Sequence, residues 1–299
     1  MQDIQDWSEE DQTDEKQKAV QKSTWVSVAA NLGLTTTQVA VGLVAGSQGL
    51  VADGIHSLSD LLADFVVLLA ARHSSKEADD DHHYGHYRYE NAASLVLGLL
   101  LLAVAVGMVW SAVSKLHATE TIAAVKPIAL WVALGALVTK ETLFRYMLAV
   151  AQKVKSSMLV ANAWHARSDA ASSLVVAIGI GGNLLGLPLL DPVAALVVGL
   201  MVGKMGWSFS WDAIHDLTDR SATEEETENI RQEILATPGI RGVHDLRTRK
   251  TGDLLLVDAH LEVDGQLSVQ EGHDIALEAR RRVLEKHPVL NMMTHVDPV

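Results

Sequence analysis

Two uncharged stretches limit what this chain can become. No residue from Trp25 to Ala52 carries a charge, and a second such run lies between Glu90 and Lys115. Each exceeds the ~20 apolar residues that a membrane-spanning helix requires. Soluble domains rarely contain two of these. Apolar segments recur at about 23–46, 48–72, 88–116, 125–151, 157–184 and 188–210, which predicts six transmembrane helices. Turn-forming residues separate them: Gly46-Ser47-Gln48-Gly49, a charged loop over 73–87, and Gly186-Leu187-Pro188, with Asp191-Pro192 opening the last helix.

An even number of spans puts both termini on one side. Arg72, Lys76, Arg88, Lys153 and Lys155 flank that side and Lys115 and Lys126 the other. The positive-inside rule therefore places the termini and the 73–87 loop in the cytoplasm, and the inner (plasma) membrane is the expected location. Residues 1–22, with seven acids and three lysines, read as an acidic cytoplasmic tail without the apolar core of a signal peptide. Residues 23–210 read as the membrane domain and 211–299 as a cytoplasmic domain. In that last part, Ser221 with Glu224 predicts a capping box that starts one helix, and Ser268 with Glu271 starts another. Strands are predicted at Val243–Arg249, Leu254–Val263 and Leu290–Val296, so the order αββαβ gives a small α+β fold with helices on one face of a sheet.

The membrane segments carry groups that a purely structural span avoids. His56 and Asp60 stand four apart on the second helix, and His165 and Asp169 repeat that spacing on the fifth. Residues at i and i+4 share a helix face. Two such helices side by side offer two nitrogens and two oxygens, a set suited to tetrahedral zinc and open to manganese or iron. Each ionisable group at bilayer depth costs roughly 2.5–3.5 kcal/mol on insertion scales, so the four imply a use. The chain has 13 histidines and no cysteine, which assigns any transition-metal chemistry to imidazole and carboxylate. A net charge of −13 argues against nucleic acid as a partner.

Other charges are less decisive. On the fourth helix Glu141 and Arg145 can pair at i, i+4, and Lys140 can reach an acid such as Asp64 on another helix. Asp53 either lines an access path or satisfies free amides near a helix start. The loop Asp79-Asp80-Asp81-His82-His83-Tyr84-Gly85-His86 holds enough ligand-type side chains for a metal, for instance Asp79, His82 and His86, although spacing leaves open which acid and which histidines serve. The carboxy-terminal part contributes His244, His260, His273 and His295, with Asp297 two beyond the last. Alternation with Leu261 and Val263 turns His260 away from the domain core.

The motifs Ala52-Asp53-Gly54-Ile55-His56-Ser57-Leu58-Ser59-Asp60, His83-Tyr84-Gly85-His86, Ala163-Trp164-His165-Ala166-Arg167-Ser168-Asp169, Val243-His244-Asp245-Leu246-Arg247-Thr248-Arg249 and His295-Val296-Asp297-Pro298 together resemble the cation diffusion facilitator family over nearly the whole chain. That resemblance implies a homodimer with six helices per protomer, a ferredoxin-like cytoplasmic domain, and efflux of divalent metal, zinc above all, against inward protons. It implies a transport site of His56, Asp60, His165 and Asp169 and a loop site of Asp79, His82 and His86. A two-metal site would use His244, His260, His273, His295 and Asp297, with Asp297 bridging, and Arg88 with Asp219 would form a salt bridge holding the dimer. A zinc/proton antiporter of that family has aspartate where this chain has His56 and lacks counterparts to Lys140 and Glu141, which leaves iron, manganese, cadmium or cobalt as alternative cargo. An intramembrane metallohydrolase needs a general base such as the Glu of an H-E-x-x-H helix, and the chain has no such motif. A membrane-bound metal sensor accounts for the carboxy-terminal histidines but not for four ligands at bilayer depth.

Overall fold

The computed structural model describes residues 25–74, 76, 78–117, 124–153, 157–252 and 254–299. The acidic tail at 1–22 and Lys155 lie outside the described residues, as do the side chains of Asp64, Arg72 and His165. Among the described residues, six long helices come first: α1 (Trp25–Ala45), α2 (Gln48–Ser74), α3 (Tyr89–His117), α4 (Ile128–Lys153), α5 (Ser157–Leu184) and α6 (Leu190–Leu217). Of these, α1, α3 and α6 are long and apolar enough to cross a membrane by length and composition. The other three have the length, but α2, α4 and α5 carry the ionisable residues discussed above. The last helix runs to Leu217, beyond the boundary expected at 210, and the chain turns at Asp219 with φ 62°.

The described residues divide into two compact units, one of 25–65 with 99–207, the other of 66–98 with 208–299. In the first, the helices approach closely where glycine permits. A Cβ on Gly54 of α2 would stand 2.7 Å from Val39 Cγ2 of α1, so any larger residue there would force the two helices apart. The start of α2 is capped from α6. The Asp191 carboxylate accepts from the backbone N–H of Gln48 at 2.7 Å and of Gly49 at 3.2 Å, and Ser47 Oγ accepts from Leu50 N–H at 3.1 Å. Orphan amides at a helix start favour a buried acid there. The capping role expected of Asp53 therefore belongs to Asp191, because Asp53 lies more than a turn inside α2.

In the second unit, α7 (Glu224–Leu235), β1 (Gly242–Thr251), β2 (Leu254–Val263), α8 (Val269–Lys286) and β3 (Val289–Pro298) follow the expected αββαβ order. β1 pairs antiparallel with β2, and β2 pairs parallel with β3, since α8 carries the chain back to the same sheet end. The capping box of α7 is Thr223 with Glu226, not Ser221 with Glu224. The same Ser/Thr-x-x-Glu spacing occurs twice in this acidic stretch, and the register of α7 selects the later copy. Ser268 with Glu271 caps α8 as expected. Ile230 and Ile234 of α7 and Ala276, Ala279 and Val283 of α8 bury against Leu255, Val257, Ala259 and Leu261 of β2. Alternation then directs His260 and Glu262 to the sheet face away from this core.

Candidate metal centres

Between α2 and α5, His56, Asp60 and Asp169 bring one ligand atom each to within 4.8 Å of one another. His56 is buried and the two aspartates are half-buried. His56 Nδ1 stands 3.7 Å from Asp60 Oδ2, the helix-face proximity that the i, i+4 spacing predicts. Position 165 lies on α5 one turn before Asp169, but its side chain is outside the described residues. On the neighbouring turn, Arg167 stacks its guanidinium over Phe144 at 4.8 Å and Trp164 at 5.2 Å, which packs α5 against α4.

Among the described residues, the acid on another helix that meets Lys140 is Asp53. The Lys140 Nζ lies 3.3 Å from Asp53 Oδ1, with both side chains buried, and donates as well to the backbone carbonyl of Asp169 at 3.3 Å. Sequence reading had Asp53 at a helix start or an access path, and missed this partnership because it joins residues 87 apart. Glu141 and Arg145 do pair, at 2.8 Å.

The loop group is compact. Asp79, His82 and His86 offer ligand atoms within 4.8 Å of one another, so the structure brings together the three residues that spacing left as one choice among several. Asp79 Oδ1 accepts the His82 backbone N–H at 2.9 Å and the Asp81 N–H at 3.2 Å, an Asx-type turn that folds the loop back on itself. Gly85 has φ 79°, a conformation that an L side chain rarely adopts, and this bend returns His86 to the aspartate. Lys76 Nζ lies 2.5 Å from Asp79, and this hydrogen-bonded ammonium holds the Asp79 carboxyl well below the usual carboxylate range. A metal cation in this group therefore meets an ionised oxygen but must compete with Lys76. His73, which was not singled out beforehand, sets its ring edge-on to His86 with centroids 5.8 Å apart.

The third constellation follows from sheet register. His244 of β1 pairs with His260 of β2, and His260 pairs with His295 of β3, so three imidazoles stand in one row across three strands. Their ring centroids are 5.1 and 4.7 Å apart. Asp297, two residues beyond His295 on the same face, places its carboxylate 2.9 Å from His260 Nδ1, 3.3 Å from His244 Nε2 and 3.3 Å from His295 Nε2. One carboxylate thus reaches all three rings. Glu262 adds a second acid at 3.1 Å from His244 Nδ1, and Asp245, at φ 46° in the bulge after His244, groups with His244 and His260. Neither was foreseen, although Glu262 is legible as the next residue on the His260 face of β2. His273 is exposed on α8 and belongs to none of the ligand groups found among the described residues of this one chain.

Arg88 and Asp219, expected as a dimer salt bridge, pair with each other within the chain, and Arg88 Nη1 also approaches the Leu217 carbonyl at 3.5 Å.

Long apolar helices with carboxylate and imidazole grouped between two of them, followed by a small α+β domain with its own histidine row, have the make-up of a polytopic membrane protein that handles metal ions. Comparison with known families agrees: the cation efflux transmembrane domain matches residues 24–218, and the cation efflux protein cytoplasmic domain matches residues 222–299. The chain belongs to the cation efflux, or cation diffusion facilitator, family, whose members are transporters and not enzymes. It is 35% identical over 288 residues to metal tolerance protein C1 of Arabidopsis thaliana, covering 91% of this chain and 61% of that one. It is 34% identical over 282 residues to an uncharacterized transporter of Methanocaldococcus jannaschii, covering 94% and 99%. With the manganese efflux system protein MneS of Bacillus subtilis it shares 34% identity over 274 residues, covering 92% and 94%.

Proposed function

We propose that this chain exports a divalent transition-metal ion from the cytoplasm in exchange for protons, with zinc the cargo its ligands suit best. The grouping of His56, Asp60 and Asp169 across α2 and α5 carries this reading, and helical spacing adds His165 as the fourth ligand. An imidazole and carboxylate set of this size favours a four-coordinate d10 ion. Neutral imidazole and ionised carboxylate hold metal, and protonation of either releases it, so one set of groups exchanges the two cargoes. Coupling requires that α2 and α5 open to one side of the membrane at a time.

In this reading the six long helices all span the plasma membrane, and the charge bias of the loops supports an orientation with both termini in the cytoplasm. Asp79, His82 and His86 form a loop metal site in this reading. His244, His260, His295 and Asp297 form the cytoplasmic site, where bound zinc would neutralise the carboxylates and cross-link strands. In a homodimer, His273 would join a site from outside its own chain's group, and Arg88 with Asp219 would stand at the cytoplasmic end of the membrane domain.

Manganese is the second reading, supported by the similarity to a manganese efflux protein and by the hard oxygens of Asp60 and Asp169. Flux of zinc, manganese, iron, cadmium and cobalt into proteoliposomes, with and without a pH gradient, tests all of this. Zinc flux that rises with an opposing proton gradient is expected. Metal binding without flux would point to a sensor, and flux indifferent to pH would remove proton exchange from the proposal.

A further inference from the structure

One buried assembly has no part in binding metal as described above. Asp53 and Lys140 are 0% and 3% exposed, and four donors from four positions converge on the Asp53 carboxylate. Lys140 Nζ of α4 lies 3.3 Å from Oδ1, Ser172 Oγ of α5 lies 2.6 Å from Oδ1, and Ser173 Oγ lies 2.6 Å from Oδ2. Gln38 of α1 donates its side-chain amide to the same Oδ2. One residue of α2 is therefore tied to three other helices.

Stability alone does not explain such a pair. Desolvating two charges costs about what their attraction returns, and apolar replacements of similar volume are often neutral or stabilising. What the assembly does have is position. Asp53 precedes His56 by three residues on α2, and Ser172 and Ser173 follow Asp169 by three and four on α5. The tie thus lies about one turn, ~5 Å, along each helix from the ligands. Lys140 also donates to the carbonyl of Asp169 itself, and Ser172 Oγ lies 2.7 Å from that carbonyl. Metal–oxygen bonds differ by only about 0.3–0.4 Å between ions, from roughly 2.0–2.2 Å for zinc to 2.3–2.6 Å for larger hard ions. A site shared by two helices discriminates at that scale only if their separation is held from outside the site.

We propose that the Asp53–Lys140 pair, with Ser172 and Ser173, is a positioning device that sets the separation of α2 and α5 and thereby the size of ion the site accepts. This rests on the reading of His56, Asp60 and Asp169 as the transport site. Removing one charge strands the other, so the informative variant is the charge-neutral double substitution Asp53→Asn/Lys140→Met in the full chain, beside Ser172→Ala, which retains the ion pair. Michaelis constants for zinc, manganese and cadmium are measured in proteoliposomes. The spread of KM across the three ions should narrow roughly tenfold in the double variant, the lower range for loss of an outer-shell partner. Ser172→Ala should narrow it in the same direction by less. A wild-type spread in a folded double variant overturns the positioning role. If the double variant does not fold, a wild-type spread in Ser172→Ala overturns it. Asp60→Ala in the same vesicles separates the two readings: retained flux there sinks the transport site itself, whereas abolished flux beside an unchanged spread sinks only the positioning device.

Discussion

At the scale of single residues, ligand identity in the proposed site would set both selectivity and proton response. Asp169→Ala removes an anionic oxygen from the α2–α5 group, and zinc flux should fall by more than the roughly 10–100-fold typical of outer-shell losses. Proteoliposome uptake checks this, and wild-type rates would remove Asp169 from the site. His56 gives a finer test. In the proposed site protons compete with metal for the imidazole nitrogen of His56, a side-chain type whose reference pKa is near 6.5. His56→Asp replaces a borderline nitrogen with a hard oxygen. That variant should still transport, shift its preference from zinc towards manganese, and respond less steeply to pH between about 6 and 8. Unchanged preference with an unchanged pH slope would show that His56 is not a ligand.

At the scale of elements, the soluble domain depends on how α7 and α8 are tied. Glu233 of α7 meets Lys286 at 2.8 Å and Arg282 at 2.7 Å, both on α8. The hydrogen bonds from Lys286 and then Arg282 lower its pKa from the ordinary glutamate value. A depressed folded-state pKa stabilises fully above the unfolded value of about 4.3, and that stability disappears as pH falls through the folded value. Glu233→Gln should therefore lower the melting temperature at neutral pH and flatten its decline below about pH 4.3. Melting curves of the full chain in detergent, taken from neutral to acid, decide it, and parallel acid limbs in the two proteins would refute the linkage. The α7 cap offers a second measurement. Thr223→Ala should cost about 1 kcal/mol, while Ser221→Ala should cost little, because only Thr223 accepts the Glu226 amide.

At the scale of the whole molecule, a metal that binds the native sheet would act as a ligand of the folded state. The row of His244, His260 and His295 around Asp297 should bind zinc in the native sheet and far less in the unfolded chain. Zinc at 100 times its dissociation constant would then add about 2.7 kcal/mol of stability, and a chelator would remove it. Asp297→Ala should remove the share of the zinc-dependent rise in melting temperature that this row supplies, leaving the response of the loop and α2–α5 groups and the flux chemistry largely intact. An equal zinc response in wild type and variant would exclude the row as a metal site.

Much of this architecture was legible without coordinates. Hydropathy alone marks α1 and α3, since an uncharged run of that length has few other fates, and i, i+4 spacing alone places His56 beside Asp60. Period-two alternation likewise assigns His260 to the open face of β2. Other features depend on contacts between distant segments, which local periodicity does not encode. Lys140 found Asp53 because the packing of α1, α2, α4 and α5 encloses that carboxylate. Asp191 caps α2 from 143 residues away. The choice of Asp79, His82 and His86 from a loop crowded with ligands was made by an Asx turn and a left-handed glycine. Sequence determined which residues can bear charge, cap a helix or bind metal. The tertiary structure decided their partners, because burying a polar group is tolerable only where the fold supplies the complementary one.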